Sequence, residues 1–387
     1  MNFNAGETII NDTYAEINLK TLGKNFEIIK KISNKDPDNS VKICAIVKAD
    51  AYGHGMNEIG KYLADQGTEY LGTADYSESI QLSDYLKKFA KKKVPVLCLG
   101  LLTEEKFLGE VISRNIEVSI ADIKNTVNLN NFAKANNKKI NVHLQIDSGI
   151  NRTGFKLKDA NEAVNKLKQL SNLNMKGIYS HFATSEIDKD SYALKQIEDF
   201  KSLIRELESN SMKFSLKHMS NTGGILNYYN SFFNMVRPGI SLYGYYPDRQ
   251  QLVKEIGIKP IMTLRSKVKF VKSLERGQSI SYGRNYFTKT KTRIASLPLG
   301  YGDGYSRLLT NKAKVYIKGK HYPVVGTVCM DWLMVNIGNN SKIKVNDDVE
   351  IFGTNYPADN LSEILKTIPY EITCNISKRV KRIYTEK

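Results

Sequence analysis

A lysine at the end of an apolar stretch has the clearest chemical use of any residue in this sequence. The stretch, residues 41–47, is rich in Val and Ile and is typical of a strand buried on both faces of a parallel sheet, and Lys48 follows at its carboxyl end. In α/β folds ligands bind at the carboxyl ends of strands. Lys48 is therefore a candidate nucleophile, although a strand-end lysine that reaches solvent would give the same pattern.

The residues that follow Lys48 could hold a phosphate group. Tyr52 supplies a phenol, and Gly53 and Gly55 flank His54 in a tight loop with exposed backbone N–H groups. An amine beside a phosphate cradle is how a pyridoxal 5'-phosphate (PLP) site is arranged, with a Schiff base to the aldehyde and an anchor for the phosphate. We therefore expect PLP as the cofactor.

The first 240 or so residues alternate apolar strands with segments of helical period. After a short strand at Tyr14 to Asn18, the candidate strands are Ile43 to Val47, Tyr70 to Ala74, Val94 to Leu99, Ile116 to Ile120, Ile140 to Ile146, Met175 to His181, Ser215 to Met219 and Asn234 to Arg237. The amphipathic segments between them include Thr103 to Arg114, Lys124 to Ala135, Asp159 to Leu170 and Ser191 to Leu207. This alternation predicts an α/β fold, either a (β/α)8 barrel or an open doubly wound sheet.

Polar residues at successive strand ends favour the barrel. Candidate functional residues end or follow five of the predicted strands, namely Lys48, Asp147 to Arg152, His181, Ser220 to Thr222 and Arg237 to Ile240. In a barrel these ends converge on one mouth, whereas in an open sheet many would lie far from Lys48. We therefore predict a PLP-binding (β/α)8 barrel domain over residues 14–243.

The pattern of the sequence changes past residue 243. Short strand-like runs now alternate with turns, at Thr263 to Val271, Thr292 to Leu299, Lys314 to Ile317, Thr327 to Ile337 and Asp348 to Phe352. These runs predict a mostly β C-terminal domain over residues 244–387, to which we assign the N-terminal segment 1–13 as well.

Composition narrows the class of protein. A chain of 387 residues with 41% hydrophobic and 25% charged residues is ordinary for a globular protein. The longest apolar run, near residues 94–102, is too short to span a bilayer, and the first residues lack the basic start and apolar core of a signal peptide. The cysteines show no metal-ligand or redox spacing. We therefore expect a cytoplasmic protein without a membrane partner or a metal.

The net charge of +17 raises the question of an acidic partner. However, the basic residues are spread along the chain, and the densest run, Lys87 to Lys93, is explained by a solvated helix end. No nucleic-acid-binding motif accompanies the charge, so we expect no nucleic-acid partner.

Several strings of residues resemble the motifs of one known family. The string Val47-Lys-Ala-Asp-Ala-Tyr-Gly-His-Gly55 closely resembles the PLP-lysine motif of the alanine racemase family, and Ser281-Tyr282-Gly283 resembles its catalytic tyrosine motif. Leu299 to Tyr305 resembles the substrate-entry loop, and Val328 to Trp332 the substrate-carboxylate loop. The resemblance covers nearly the whole chain. It implies an isomerase that interconverts L- and D-alanine and supplies D-alanine for peptidoglycan.

The resemblance also implies the proton-transfer groups. Racemisation needs one such group on each face of a planar intermediate, because a single base would tend to return the proton to the side it left. Lys48 would serve one face, and Tyr282 of the partner subunit in a homodimer with shared active sites would serve the other. Arg152 is the expected cation beside that tyrosine, and Met330 and Tyr301 are the expected substrate contacts.

A further set of residues is expected to hold the cofactor. Arg237, by resemblance, faces the pyridine nitrogen, and because arginine keeps its proton the ring stays unprotonated and is a weaker electron sink. Thr222 stands where the family often has serine and retains the hydroxyl. The phosphate and ring contacts implied by the resemblance are Tyr52, His181, Asn221, Thr222, Gly239 and Ile240.

Three residues depart from the family pattern, and two of them, Gln145 and Gly302, affect the expected specificity. Gln145 stands where many members carry a carbamylated lysine beside the arginine that corresponds to Arg152, and an amide supplies no negative charge. Lys378 stands where a phosphate-binding tyrosine is usual, and Gly302 where alanine is common. A related racemase of broader or serine-preferring specificity is therefore an alternative to an alanine racemase.

Two other classes of PLP protein are less compatible with these residues. Single-barrel, non-enzymatic PLP-binding proteins share a strand-end lysine but lack a β domain and the Ser-Tyr-Gly and Cys-Met-Asp strings seen here. A barrel decarboxylase would suit an acidic residue opposite the ring nitrogen, where this chain has Arg237. Both readings are disfavoured.

Overall fold

The computed structural model describes residues 12–35, 40–248, 255–339 and 342–386. The described residues form two compact units. The barrel unit comprises residues 22–258, and the β unit combines residues up to 21 with those from 259 onward. Strand β1 (Tyr14–Asn18) therefore lies in the β unit, although the expected boundaries place it in the barrel domain. The described residues 244–248 and 255–258 lie in the barrel unit, although the expected boundaries place them in the β domain.

The described part of the barrel unit contains nine strands, and eight of them form a closed parallel ring. Its strands are β2 (Lys42–Ile46), β3 (Tyr70–Thr73), β4 (Val96–Leu101), β5 (Glu117–Ile120), β6 (Ile140–Asp147), β7 (Phe155–Lys156), β8 (Leu173–Tyr179), β9 (Leu216–His218) and β10 (Met235–Val236). The order around the ring is β5-β4-β3-β2-β10-β9-β8-β6, and pairing of β5 with β6 closes it, while β7 pairs with the last two residues of β6, Ile146 and Asp147. The predicted barrel is confirmed, and the open sheet is wrong.

Helices connect and cover the barrel strands. They are α1 (Leu19–Ser33), α2 (Met56–Gln66), α3 (Tyr76–Phe89), α4 (Leu108–Ser113), α5 (Ile123–Ala135), α6 (Ala160–Leu167), α7 (Ser191–Ser209) and α8 (Thr222–Asn227). Helix α7 shows why they form: Asp190 caps its start by accepting the Ala193 N–H at 3.0 Å. Its buried residues, which include Ala193, Ile197, Phe200, Ile204 and Leu207, recur with the helical period. Among the described residues, no helix is both long and apolar enough to cross a bilayer.

Some predicted boundaries in the barrel unit are wrong. The helix predicted over Thr103 to Arg114 is a 3-10 turn at Glu105–Phe107 followed by the short helix α4. His181 does not end its strand, because β8 stops at Tyr179 and His181 lies two residues beyond. Both errors fall at the ends of elements, where the local pattern no longer decides the conformation.

The β unit contains two sheets. Its strands after β1 are β11 (Met262–Lys267), β12 (Phe270–Leu274), β13 (Thr292–Leu297), β14 (Lys314–Ile317), β15 (Lys320–Pro323), β16 (Leu333–Asn336), β17 (Asp348–Phe352) and β18 (Lys381–Thr385). A six-stranded sheet runs in the order β15-β14-β17-β11-β1-β18, and a three-stranded sheet in the order β12-β13-β16. Two helices, α9 (Ala358–Leu365) and α10 (Pro369–Cys374), complete a mostly β fold, as predicted.

Two predicted strands of the β unit differ from the observed ones. The single strand predicted over Thr263 to Val271 is wrong, because β11 and β12 lie in different sheets. The chain leaves the first sheet at Val268, whose N–H donates to the Asp347 carbonyl at 3.0 Å. The strand predicted over Thr327 to Ile337 is also wrong in extent: only Leu333–Asn336 forms a strand, and residues 327–332 form a loop.

A left-handed turn follows β2 and is the least usual backbone feature of the barrel unit. Ala49, Asp50, Ala51 and Tyr52 all have φ between +51° and +54°, a region that L-residues other than glycine adopt rarely. Backbone bonds stabilise it, since Ala51 N–H donates to the Val47 carbonyl at 2.8 Å and Gly53 N–H to the Ala49 carbonyl at 2.9 Å. Strain of this kind concentrates at functional sites.

The strain in this turn can be measured at Ala49, which is exposed. We expect Ala49→Gly to raise the free energy of unfolding by about 1 kcal/mol, because glycine adopts positive φ without steric cost. Exposed Ala135, at the end of right-handed helix α5, is the control, and Ala135→Gly should lower the free energy by about 0.5–1 kcal/mol. Urea titrations would measure both changes, and a shift of the same sign for both would contradict a left-handed turn.

Candidate active site

The predicted site residues form two groups, one in each unit. The barrel group lies at strand ends of the barrel unit and consists of Lys48, Tyr52, Arg152, His181, Asn221, Thr222, Arg237, Gly239 and Ile240. The loop group lies in the β unit and consists of Tyr282, Tyr301 and Met330. Contacts within each group join most of its members.

The left-handed turn returns Tyr52 toward the segment that follows β10. A Cβ built on Gly239 would overlap the Tyr52 hydroxyl and lie 3.2 Å from its Cζ, so the phenol lies directly against the Gly239 backbone. The Tyr52 ring also packs on Tyr243, with centroids 4.8 Å apart, and the Tyr243 hydroxyl donates to the Ile46 carbonyl at 2.8 Å. Glycine at position 239 therefore leaves room for the phenol beside a backbone N–H.

The Thr222 hydroxyl lies at the same place. Its Oγ1 accepts the Gly239 N–H at 3.1 Å and the Ser241 N–H at 3.4 Å, and it is 3.1 Å from the Ser241 hydroxyl. Asn221 caps the helix that begins at Thr222, accepting the Gly224 N–H at 3.0 Å. A phenol, hydroxyls and backbone N–H groups thus converge, and such donors suit a phosphate.

Arg237 is held by acceptors on both of its terminal nitrogens. Nη2 donates to the carbonyls of Ser180 at 2.8 Å and Met219 at 3.0 Å and lies 3.2 Å from His181 Nδ1, while Nη1 donates to His218 Nδ1 at 2.6 Å. The side chain is only 3% exposed. Burial lowers the pKa of Arg237 to about 10, so the guanidinium stays charged near neutral pH.

Three cations affect the pKa of His181 at this end of the barrel. Removal of the ring from water, followed by the charges of Arg237, Arg152 and Lys48, holds its pKa well below the ordinary value. The imidazole is therefore neutral near pH 7. Because these three cations act on one ring, Lys48 and Arg152 belong to the same neighbourhood as Arg237.

Gln145 makes its hydrogen bond to Thr153 and not to Arg152, the arginine beside which the resemblance places this position. Gln145 Nε2 donates to the Thr153 hydroxyl at 2.7 Å, and its Oε1 is buried without a hydrogen-bond partner among the described residues. Arg152 is exposed. The amide therefore serves Thr153 rather than the arginine.

In the β unit, backbone contacts bring the loop group together. The Thr327 hydroxyl donates to the Tyr282 carbonyl at 2.7 Å, and the Ser281 hydroxyl donates to the Thr327 carbonyl at 2.6 Å. Two further bonds join the neighbouring loops: Tyr301 N–H to the Cys329 carbonyl at 3.0 Å, and Gly302 N–H to the Met330 carbonyl at 2.9 Å. Three sequence strings separated by up to 50 residues thus form one surface.

This surface exposes large apolar side chains. Tyr282 is 71% exposed, Met330 52%, Trp332 44% and Tyr301 43%. Exposed apolar side chains concentrated in one patch are typical of an interaction or ligand surface rather than of open protein surface. The loop group is therefore available for contact with another molecule.

Gly302 has a local packing role. Arg379 forms ion pairs with Asp303 and Asp331, both at 2.7 Å, and a Cβ on Gly302 would lie 2.9 Å from its Nη2 and 3.1 Å from the Met330 carbonyl oxygen. Alanine, common in relatives at this position, would press on that ion pair. The departure at Gly302 therefore has a structural explanation that does not involve the substrate.

Sequence reasoning missed a set of buried polar residues inside the barrel. Glu117, His143 and His218 are between 0% and 2% exposed and contact one another and Arg237. The available signal was their type: a carboxylate and two imidazoles stand in segments that alternate with buried apolar residues. Buried charged residues need partners, so these three positions could have been flagged as a group.

The chain matches known protein families over nearly its full length. The family profile described as alanine racemase, N-terminal domain, matches residues 17–247, and the one described as alanine racemase, C-terminal domain, matches residues 261–384. Alanine racemase 2 of Caldanaerobacter subterraneus subsp. tengcongensis is 38% identical over 381 residues, covering 97% of this chain and 95% of the relative. The alanine racemase of Clostridium kluyveri is 38% identical over 378 residues, covering 96% and 93%.

Solved structures agree with these sequence relatives. The alanine racemase of Clostridium difficile 630 superposes with a TM-score of 0.90 at 36% identity, over 98% of this chain and 97% of that one. The alanine racemase from Bartonella henselae with covalently bound pyridoxal phosphate has a TM-score of 0.85 at 26% identity, over 97% and 99%.

A closed parallel barrel with a strand-end lysine, a phosphate cradle and a buried arginine, joined to a mostly β unit, defines a barrel-type PLP-dependent racemase. The barrel group fits PLP, since the phenol, the hydroxyls and the Gly239 N–H form a cradle without room for a Cβ. With both family profiles matched and relatives 38% identical over nearly its full length, the chain belongs to the alanine racemase family.

The close approach of Tyr52 to Gly239 makes the cradle testable. We expect Gly239→Ala to displace the phenol and to raise the Kd for PLP roughly tenfold to a hundredfold, the effect of losing one hydrogen bond to a charged group. Titration of the apoenzyme with PLP, followed by absorbance, would measure it. Gly109→Ala is the control, because a Cβ there would have nothing nearer than 4.0 Å, and its Kd should match that of the wild type.

Proposed function

We propose that this chain interconverts L-alanine and D-alanine with PLP as its cofactor, and that the D-alanine serves peptidoglycan synthesis. Membership of the family and the near full-length relatives named alanine racemase support the reaction. The observation that carries the proposal is the contact of the Tyr52 phenol and the Thr222 hydroxyl with the Gly239 backbone, in the turn that follows Lys48 and at the segment after β10. Hydroxyl groups in that arrangement suit the phosphate of PLP.

The barrel group would hold the cofactor. Tyr52, Thr222 and the backbone N–H groups of Gly239 and Ile240 receive the phosphate in this proposal, with Asn221 fixing the start of the helix beside it. Bound PLP supplies an electron sink that acidifies the Cα–H bond of an amino acid. Arg237 would donate a hydrogen bond to the ring nitrogen without releasing its proton, and the four protein acceptors that hold the charged guanidinium support this role.

Two groups would move the Cα proton. Lys48 Nζ removes or returns the proton on one face, and the Tyr282 hydroxyl from a second copy of the chain does so on the other. Arg152 is the cation proposed to orient that phenol, while Met330 and Tyr301 contact the substrate beside it. The loop group supports these roles because its three members form one exposed surface.

A homodimer follows from the same proposal. Tyr282, Tyr301, Met330 and Trp332 expose large apolar surfaces, and a second copy of the chain would cover them. We assign the barrel domain, expected over residues 14–243, to the cofactor and the β domain, expected over residues 244–387 with 1–13, to the second proton-transfer group. A cytoplasmic location is part of this proposal and is supported by the buried unpaired thiols of Cys44 and Cys98, which suit a reducing compartment.

Substrate preference decides between the proposed function and its nearest alternative. The purified enzyme should racemise alanine faster than serine or lysine, as measured by kcat/KM for each L-amino acid with chiral detection of the product. A strong preference for serine would favour a racemase of shifted specificity and overturn alanine as the substrate. Release of carbon dioxide instead of racemisation would indicate a decarboxylase.

Replacement of the strand-end lysine should remove both covalent attachment of the cofactor and activity. We expect Lys48→Ala to lose the absorbance band of lysine-bound PLP and to reduce racemisation to background, because it removes the attachment point and one proton-transfer group together. Absorbance of the PLP-reconstituted protein and a chiral alanine assay would measure both effects. Retention of either property at the wild-type level would exclude Lys48 from its proposed role.

Replacement of the loop tyrosine should separate cofactor binding from catalysis. We expect Tyr282→Phe to retain PLP but to lower kcat by roughly 10²–10⁴-fold, the usual effect of losing a general acid or base. The loss should be larger for the enantiomer whose proton faces the phenol. Tyr229→Phe is a control matched in exposure, at 73% against 71%, and should leave both directions unchanged. Equal rates for Tyr282→Phe and the wild type would remove Tyr282 from the mechanism.

A further inference from the structure

A line of hydrogen bonds runs through the barrel interior and ends at Arg237. Arg237 Nη1 is 2.6 Å from His218 Nδ1, His218 Nε2 is 3.0 Å from His143 Nδ1, and His143 Nε2 is 2.8 Å from Glu117 Oε2. All four side chains are at most 3% exposed. We call these four residues the relay; they come from strands β5, β6 and β9 and from the residue that follows β10.

The charges at its two ends give the relay a single direction. A guanidinium can only donate, so His218 Nδ1 must accept, and the proton of the neutral ring lies on Nε2. That N–H donates to His143 Nδ1, which places the His143 proton on Nε2, where it is donated to the Glu117 carboxylate. One tautomer of each imidazole therefore satisfies every bond.

Both imidazoles are neutral in this arrangement. Burial, followed by the charges of Arg237 and His143, holds the pKa of His218 well below its ordinary value. Burial likewise lowers the pKa of His143 against the opposing effect of Glu117. A second proton on either ring would place two N–H donors opposite each other in a site buried from water.

Both carboxylate oxygens of Glu117 have donors. His143 Nε2 bonds Oε2, while the Lys176 ammonium forms an ion pair with Oε1 and Asn141 Nδ2 donates to the same oxygen at 3.3 Å. Burial opposes ionisation of Glu117, but these two partners outweigh it and its pKa lies below the ordinary value. The carboxylate is therefore negative and balances buried positive charge inside the barrel.

Neighbouring residues of the barrel pack against both imidazole rings. The Tyr179 ring stacks on His218 with centroids 4.9 Å apart and an interplanar angle of 7°, and Arg237 lies 5.3 Å from the same ring. A Cβ on Gly177 would overlap His143 Nδ1 and lie 2.7 Å from Cε1. Stacking on Tyr179 thus holds the His218 ring, and glycine at position 177 leaves room for the His143 ring.

We propose that Glu117 is a positioning residue of the racemase, acting through His143 and His218 to fix Arg237 for its contact with the cofactor ring. The carboxylate sets the tautomer of each imidazole, and these tautomers keep an acceptor directed at the guanidinium. Glu117 touches neither substrate nor cofactor in this scheme. Its effect on catalysis rests on the proposed function, whereas its effect on the two imidazoles does not.

Glu117→Gln tests the relay with little change in shape. An amide has one oxygen, but His143 and Lys176 are both donors and need two acceptors. Because Lys176 and Asn141 both donate to Oε1, we expect the amide oxygen to stay on that side and the amide nitrogen to face His143, which must then accept on Nε2. The His143 proton then moves to Nδ1 and faces His218, which must turn away from Arg237 or move its own proton.

Selective 15N labelling of histidine would read these tautomers directly, since the chain contains only 5 histidines. In the wild type we expect both His143 and His218 to be protonated on Nε2, with or without PLP. In Glu117→Gln we expect the His143 signals to shift toward the Nδ1-protonated form. A wild-type His143 or His218 protonated on Nδ1 would overturn the proposal without any variant.

Kinetics of the PLP-loaded enzyme provide the second measurement. We expect Glu117→Gln to lower kcat for alanine about tenfold, the effect of losing one hydrogen bond to a charged group, while KM stays within about twofold because Glu117 does not touch the substrate. A normal kcat together with shifted tautomers would overturn the positioning role. A lowered kcat with unshifted tautomers would overturn it as well.

Glu350→Gln is the matched control for loss of a buried carboxylate. Glu350 is 5% exposed and lies in the β unit, where it accepts the N–H groups of Asn355 and Tyr356. Its replacement should lower thermal stability but leave the tautomers of both relay histidines and the ratio of kcat to KM unchanged. A wild-type enzyme with the expected tautomers but no racemisation would refute the proposed function and leave the relay intact.

Discussion

The burial of one positive charge inside the barrel is the constraint on which the site depends. Arg237 is 3% exposed, and a charge removed from water is costly unless acceptors surround it. The carbonyls of Ser180 and Met219 and the imidazoles of His181 and His218 supply those acceptors. Ser180 follows β8, Met219 follows β9 and Arg237 follows β10, so these groups meet only when the neighbouring strands are in register.

The same burial gives the barrel interior an unusual composition. Barrel cores are normally filled by layers of branched apolar side chains. Here Glu117, His143 and His218 occupy inner positions and form hydrogen bonds with one another. Lys176, which is partly exposed, forms an ion pair with the Glu117 carboxylate. The interior therefore holds hydrogen-bonded polar groups rather than only apolar volume, and one tautomer of each imidazole satisfies every bond.

The β unit presents exposed side chains in a fixed arrangement. Tyr282 is 71% exposed, yet its carbonyl accepts the Thr327 hydroxyl, and the loops that carry Tyr301 and Met330 are joined by two backbone bonds. Fixing the backbone reduces the entropy that these side chains would lose on binding another molecule. Exposure and rigidity are thereby combined in one surface.

The sequence by itself determined the alternation of strands and helices in the barrel, because hydrophobic periodicity is a local pattern. It also identified Lys48, Tyr52 and Arg237 as site candidates, because the motifs that contain them are short. It did not determine the extent of the strands near Val268, nor the left-handed turn after Lys48. Only the tertiary structure decided that Glu117, His143 and His218 lie in line with Arg237. Hydrogen bonds between residues separated by up to 75 positions depend on strand pairing and barrel closure, which no local pattern specifies.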